Sequence, residues 1–169
     1  MTRITTYADL IDRQAELQRI GKALGQRDFT RNELVCAYLA EVGEIIQECK
    51  PAWAWWKKLN DKAAVDTTKL LDELADALHF SLIADVKAGE AASEWADTPV
   101  VFDPERATSD VASALAELGA FIEIPTCDVY IDQATALLQH FGLGAQDLID
   151  AYYAKTQVNL DRWHAVEQK

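Results

Sequence analysis

Long apolar runs are what this chain most lacks. None approaches the roughly 18 residues of a membrane span, and the start carries no basic-then-apolar segment. Neither a membrane helix nor a signal peptide is therefore expected. Cysteine is scarce and odd in number: Cys36, Cys49 and Cys127 form no C-x-x-C. That excludes a disulfide framework and suits reduced thiols in the cytoplasm. Seven glycines and four prolines in 169 residues, with plentiful Ala and Leu, favour helix over strand. Basic charge is short too, with 16 Lys and Arg against 28 Asp and Glu, a net charge of −12. Such a chain repels nucleic-acid backbones, and no basic patch is large enough to grip a duplex.

What is present is hydrophobic surface in helical register. Half the residues are hydrophobic, enough to bury a core, and residues 1–169 read as a single all-α domain. The spacing predicts a bundle of about six helices. The first runs from about Tyr7 to Leu24. Thr30 and Glu33 make a capping box that opens the second, which continues to about Cys49 and is stopped by Pro51. A Trp-rich connector spans Pro51 to Asn60. The third helix begins near Asp66 or Thr67 and runs to about Lys87, with Gly89 beyond it. Residues 90–107 break the pattern and read as a loop. Ser109 caps a fourth helix to about Ile124, Pro125 and Thr126 open a fifth that ends at Gly142, and a long last helix runs from Gln146 to about Val166.

Two of these helices carry acids where apolar residues belong. Leu34, Tyr38, Glu41, Ile45 and Glu48 share one stripe of the second helix, with Glu44 on its flank. Leu70, Glu73, Ala77, Phe80 and Ala84 share a stripe of the third, with Asp76 beside it, in line with Phe80 and Ile83. Inward carboxylates are costly unless neutralised, and they raise one another's pKa. A hard divalent cation such as Mg²⁺ relieves both problems through oxygen ligands, and two helices that each give an i, i+3 acid pair can supply such a site inside a bundle core. The competing reading is a set of partly buried acids paired to Lys or Arg.

The order of these residues resembles a known pattern. Glu41-x-x-Glu44 followed, after residues 45–72, by Glu73-x-x-Asp76 resembles the metal motif of the all-α NTP pyrophosphohydrolases, the MazG-like superfamily, and within it the dimeric dUTPases. Trp53-Ala54-Trp55-Trp56-Lys57 resembles that family's W-K-x-W-K segment. Glu73 to His79-Phe80 resembles its E-x-x-D-x-x-H-F, and Lys155-x3-Asn159-x2-Arg162 its C-terminal K-x3-N-x2-R. The likeness runs from about residue 14 to 162. Ala54 stands where the family usually has lysine, and Trp163-His164-Ala165 replaces its Q-D-x-G-Y tail.

The resemblance implies a helical bundle with a central four-helix metal-binding core, working as a homodimer. The implied activity is Mg²⁺-dependent hydrolysis of dUTP to dUMP and pyrophosphate, with two or more ions and Mn²⁺ as a substitute. A related enzyme acting on dCTP or a broader set of dNTPs is the alternative, and a non-catalytic helical interaction module is the rival of a different class. In the enzyme reading Glu41 orients or deprotonates water. Glu41, Glu44, Glu73 and Asp76 hold metal, with Glu48 supporting them. Lys57, Lys155 and Arg162 take the phosphates. Asn159 pairs with the uracil edge, and Trp53, Trp56, His79 and Phe80 wall the base and sugar. Gln18, with Gln14 second, adds an amide from the first helix.

Overall fold

The computed structural model describes residues 5–56, 64–89, 98–100, 108–120 and 123–167. Among them seven helices form: α1 (Tyr7–Ala23), α2 (Arg31–Glu48), α3 (Lys50–Trp53), α4 (Thr67–Ala88), α5 (Val111–Leu118), α6 (Cys127–Gln139) and α7 (Ala145–Glu167). No strand accompanies them among the described residues, so the chain is all-α as its composition predicts, with one more helix than its spacing suggests. No helix there is long and apolar enough to cross a membrane.

Local chemistry sets most helix ends. Thr6 and Asp9 close a capping box on α1, and Thr30 and Glu33 close the expected one on α2. The Asp66 carboxylate accepts from the Thr68 and Lys69 amides at the start of α4. Gly89 ends that helix at φ 76°, a left-handed conformation that only glycine adopts without strain.

Three boundaries differ from the sequence reading. Pro51 does not simply stop α2. It sits in the first turn of α3, where its missing N–H costs nothing, and so begins a helical turn within the Trp-rich connector. The fourth predicted helix is shorter, ending at Leu118 rather than Ile124, and Asp110 rather than Ser109 caps it, through the Ser113 amide. The predicted loop is anchored at one point. An isolated bridge joins Thr6 to Pro99, with the Val100 amide donating to the Thr5 carbonyl at 3.0 Å. Residues 90–97 and 101–107 lie outside the described residues.

The core forms around α4, which packs most extensively on α2 and α7 and also touches α1 and α6. Leu70, Leu74, Leu78 and Leu82 are fully buried along it and meet Tyr38 and Ile45 of α2, Tyr130 and Leu137 of α6, and Tyr152 of α7 in one cluster. Being surrounded, α4 buries residues on more than one face, which a single amphipathic stripe does not describe. Polar contacts fix its neighbours. Buried Asp85 accepts from the Cys127 amide at 2.8 Å and so caps α6 from outside, in place of the Thr126 side chain. The Ser81 hydroxyl donates to the Pro125 carbonyl at 2.7 Å, and the Tyr130 hydroxyl to that of Leu74 at 2.8 Å. These bonds set α6 against α4 and leave the opposite side of α4 to α1, α2 and α7.

Candidate active site

On that side, Glu41 of α2 and Glu73 and Asp76 of α4 bring one carboxylate oxygen each to within 4.8 Å of one another. All three are half-buried. Oxygens opposite one another across a Mg²⁺ ion stand about 4.2 Å apart. Adjacent oxygens on such an ion stand about 3 Å apart, so the three must draw closer together to share one cation. The donor set is all oxygen, as a hard divalent ion requires. Glu44 is exposed and stands outside this group of three, but its charge acts on both Glu41 and Glu73. Glu48, a turn further along α2, is half-buried.

The electrostatics express the crowding. Burial, followed by the charges of Asp76, Glu44 and Glu73, pushes the Glu41 carboxyl from an ordinary 4.5 up to about 7. Glu73 is raised by burial and then by Glu44, Asp72 and Asp76. Lys155 of α7 opposes the trend, with its ammonium 2.6 Å from an Asp76 oxygen and 2.9 Å from one of Asp72. Burial and neighbouring acids nevertheless outweigh it at Asp76, whose pKa is raised. Burial works against the charge of Lys155 as well, but its hydrogen bonds to Asp76 and Asp72 prevail and hold its pKa above the usual lysine value.

These shifts give a stability test. Between pH 4.5 and about 7 the folded chain holds a proton on Glu41 that the unfolded chain has released. Its stabilising contribution is thus present below the lower value and lost as pH rises through the upper one. In EDTA, Glu41→Gln is expected to melt above the unaltered protein at pH 8, with the advantage gone by pH 4.5. Thermal denaturation across that range checks it, and a lower melting temperature for the variant at pH 8 contradicts the crowded placement of Glu41.

Glu41, Asp76 and Lys155 border a cavity of about 410 Å³ that Gln14, Gln18, His79, Phe80, Asn159 and Arg162 also line, a volume within the range of small-ligand sites. Helices α1, α2, α4 and α7 all contribute to it. A wider groove of about 720 Å³ between α4 and α7 shares Lys155 and Arg162 but has neither Glu41 nor His79 in its lining. The chemically varied groups converge on the smaller cavity.

His79 is 6% exposed. Burial, helped by the charge of Lys155, lowers its pKa to about 4, so the ring is neutral near pH 7. Its Nδ1 lies 2.7 Å from Gln14 Oε1, which also accepts from the Tyr152 hydroxyl at 3.1 Å. A neutral ring facing that carbonyl oxygen places its proton on Nδ1 and leaves Nε2 as an acceptor. Nε2 of His79 and Nε2 of Gln18 are both buried with no protein partner. Buried polar atoms rarely stay unpaired, and these two in the lining of one cavity are available to pair with a polar group that enters it.

The sequence-derived residues thus divide. Glu41, Asp76, Gln18, Gln14, His79, Phe80, Lys155, Asn159 and Arg162 share the cavity, and Glu73 joins through the acid cluster. Trp53 and Trp56 are not in that lining. The Trp53 indole donates to the Ile46 carbonyl at 2.9 Å and meets Trp56 edge-on, while Trp56 is 55% exposed. Lys57 lies outside the described residues. Tyr152, which orients Gln14, and Trp163, which lines the cavity, escaped the sequence reading. Following the Lys155–Asn159 stripe one turn in each direction along α7 leads to both.

Residues 6–165 match a family model described as dUTPase. Neither the curated proteins nor the solved structures compared with the chain include a match.

Proposed function

The chain belongs to the all-α dUTPase family, whose match supports a nucleotide pyrophosphohydrolase, and from that premise we propose a Mg²⁺-dependent dUTP diphosphatase that releases dUMP and pyrophosphate. The observation that carries the reading is the convergence, on one cavity, of an all-oxygen acid cluster, two cations and two buried polar atoms without partners. A Mg²⁺-bound triphosphate attached to a polar base would satisfy all three: the ions meet the acids, the phosphates the cations, and the base the buried polar atoms.

In this reading Glu41, Glu73 and Asp76, with Glu44 at the rim, hold two or more Mg²⁺ ions, or Mn²⁺ in their place. When bound, those ions supply Lewis-acid stabilisation of charge on phosphate oxygens. Glu41 orients the attacking water and accepts its proton, a role suited to a carboxyl that burial and neighbouring acids push up to about 7. The Lys155 ammonium and the Arg162 guanidinium bind phosphate oxygens, and Lys57 joins them from the connector after α3. His79 Nε2 accepts the N3–H of uracil, the Gln18 amide donates to a uracil carbonyl, and the Asn159 amide pairs with the remaining edge. Cytosine presents an unprotonated N3 to the lone pair of His79 and leaves the buried groups unmatched. Phe80 and Trp163 close the apolar sides; Trp53 at the end of α3 and Trp56 just beyond it could wall the base only on leaving the contacts they make outside this lining. The subunit pairs with a second copy and acts in the cytoplasm as one domain.

Chromatography of a dUTP digest tests the reaction. One dUMP and one pyrophosphate are expected per dUTP consumed. Formation of dUDP and orthophosphate would overturn the diphosphatase assignment.

A further inference from the structure

Lys155 presents a puzzle that its phosphate-binding role does not solve. A lysine that waits for phosphate gains most by standing free toward the cavity. Here the side chain is 13% exposed and its ammonium lies 2.6 Å from Asp76 Oδ2 and 2.9 Å from Asp72 Oδ2. Among the described residues it is the one cation that lowers the pKa of all three clustered acids. Asp76 is itself one of the three acids in the cation cluster. The ammonium thus holds an oxygen that a divalent ion needs. Asp72 is different: it is exposed, stands one turn before Asp76 on α4 and is not part of the cluster.

We propose that Lys155 is an internal stand-in cation, seated on Asp76 when no divalent ion is bound, and that Asp72 is the positioning residue that retains it when it releases Asp76. The inference rests on the divalent-cation reading of the acid cluster. Without ions, three half-buried carboxylates would repel one another across the α2–α4 contact. One ammonium reaching across from α7 offsets part of that repulsion and keeps the pocket assembled. When a divalent ion binds, like-charge repulsion makes the ammonium give up Asp76. Its bond to Asp72 keeps the side chain at the rim, where it meets the phosphates that arrive with the nucleotide. Lysine suits the exchange. Its flexible stem and freely rotating ammonium lose little on changing partner, whereas a planar guanidinium would be committed to a paired geometry. The same exchange has a cost: the empty site binds ions less tightly than its acids alone would allow.

The test uses the nucleotide-free full chain and Mn²⁺ alone, with free ion followed by electron paramagnetic resonance. Lys155→Met is expected to bind Mn²⁺ at least ~5-fold more tightly than the unaltered protein, because two charges a few ångströms apart near a protein surface interact by a kcal/mol or more. Lys155→Arg keeps the charge and is expected to stay near the unaltered affinity. Asp72→Asn frees the ammonium to sit on Asp76 alone and is expected to weaken Mn²⁺ binding, and this loss shrinks in the Lys155→Met background. Should Lys155→Met fail the check of helical content by circular dichroism, Lys155→Gln gives the same readout. Equal or weaker binding by the folded Met or Gln variant overturns the stand-in role while leaving the metal site in place. An undiminished Asp72→Asn effect without Lys155 overturns the role of Asp72. Absence of Mn²⁺ binding in every protein, Lys155→Met included, overturns the metal reading itself and this inference with it.

Discussion

Glu41→Gln is expected to lower the rate constant for Mg²⁺-dependent dUTP hydrolysis by at least ~10²-fold while the helices remain formed. The size follows from two roles in one residue. Glu41 is in the acid cluster, and it is the carboxylate pushed up to about 7 by burial and by its three acidic neighbours. Gln preserves volume and one carbonyl oxygen but removes the charge that binds a cation and the basicity that accepts a proton. The fold has little reason to suffer, since the substitution relieves repulsion, and the same variant is expected to gain thermal stability at pH 8. Activity and stability should therefore move in opposite directions, a pattern that general structural damage does not produce. Steady-state kinetics at saturating Mg²⁺, beside circular dichroism, check both halves. Near-normal turnover would remove Glu41 from the reaction.

Base selection should respond to a different residue. Asn159→Ala is expected to reduce kcat/KM for dUTP by ~10-fold or more while changing that for dCTP by less than ~3-fold. Loss of one partner from a buried polar contact costs about 1–3 kcal/mol, which spans roughly 5- to 150-fold. Asn159 is half-buried and lines the cavity near the middle of α7, so the lower part of that span applies. It is a cleaner probe than His79, because replacing His79 also breaks the bond to Gln14 Oε1 and disturbs the Tyr152 contact behind it. Competition between the two nucleotides in one reaction measures the ratio directly. A parallel fall for dUTP and dCTP would show that Asn159 supports the pocket without reading the base.

The acid cluster was legible because helical periodicity is a strong code for facing. Glu41 and Glu73 interrupt apolar stripes on two capped helices, and those helices pack against each other. The Thr30 box and the Gly89 stop were equally readable, since each depends on residues within one turn. Contacts between elements far apart in sequence were not. Asp85 caps α6 across 42 positions, and Lys155 reaches Asp72 across 83. No local pattern announces either. The fourth predicted helix ran too long because apolar residues continue past Gly119 to Ile124, although the helix ends at Leu118. Gln14 was ranked behind Gln18 because spacing cannot tell a glutamine wedged between His79 and Tyr152 from one that is only nearby. The Trp-rich connector shows the converse limit. A motif identified Trp53 and Trp56, but the Trp53 indole is engaged by the Ile46 carbonyl rather than by the cavity.

The most direct measurement is pyrophosphate release from dUTP by the unaltered full chain, with Mg²⁺, with EDTA, and with Mg²⁺ restored in excess over EDTA. Release with Mg²⁺, its loss in EDTA and its return on restoration are the expected results. Absence of Mg²⁺-dependent release from dUTP, the other dNTPs and UTP alike would contradict the account at its centre.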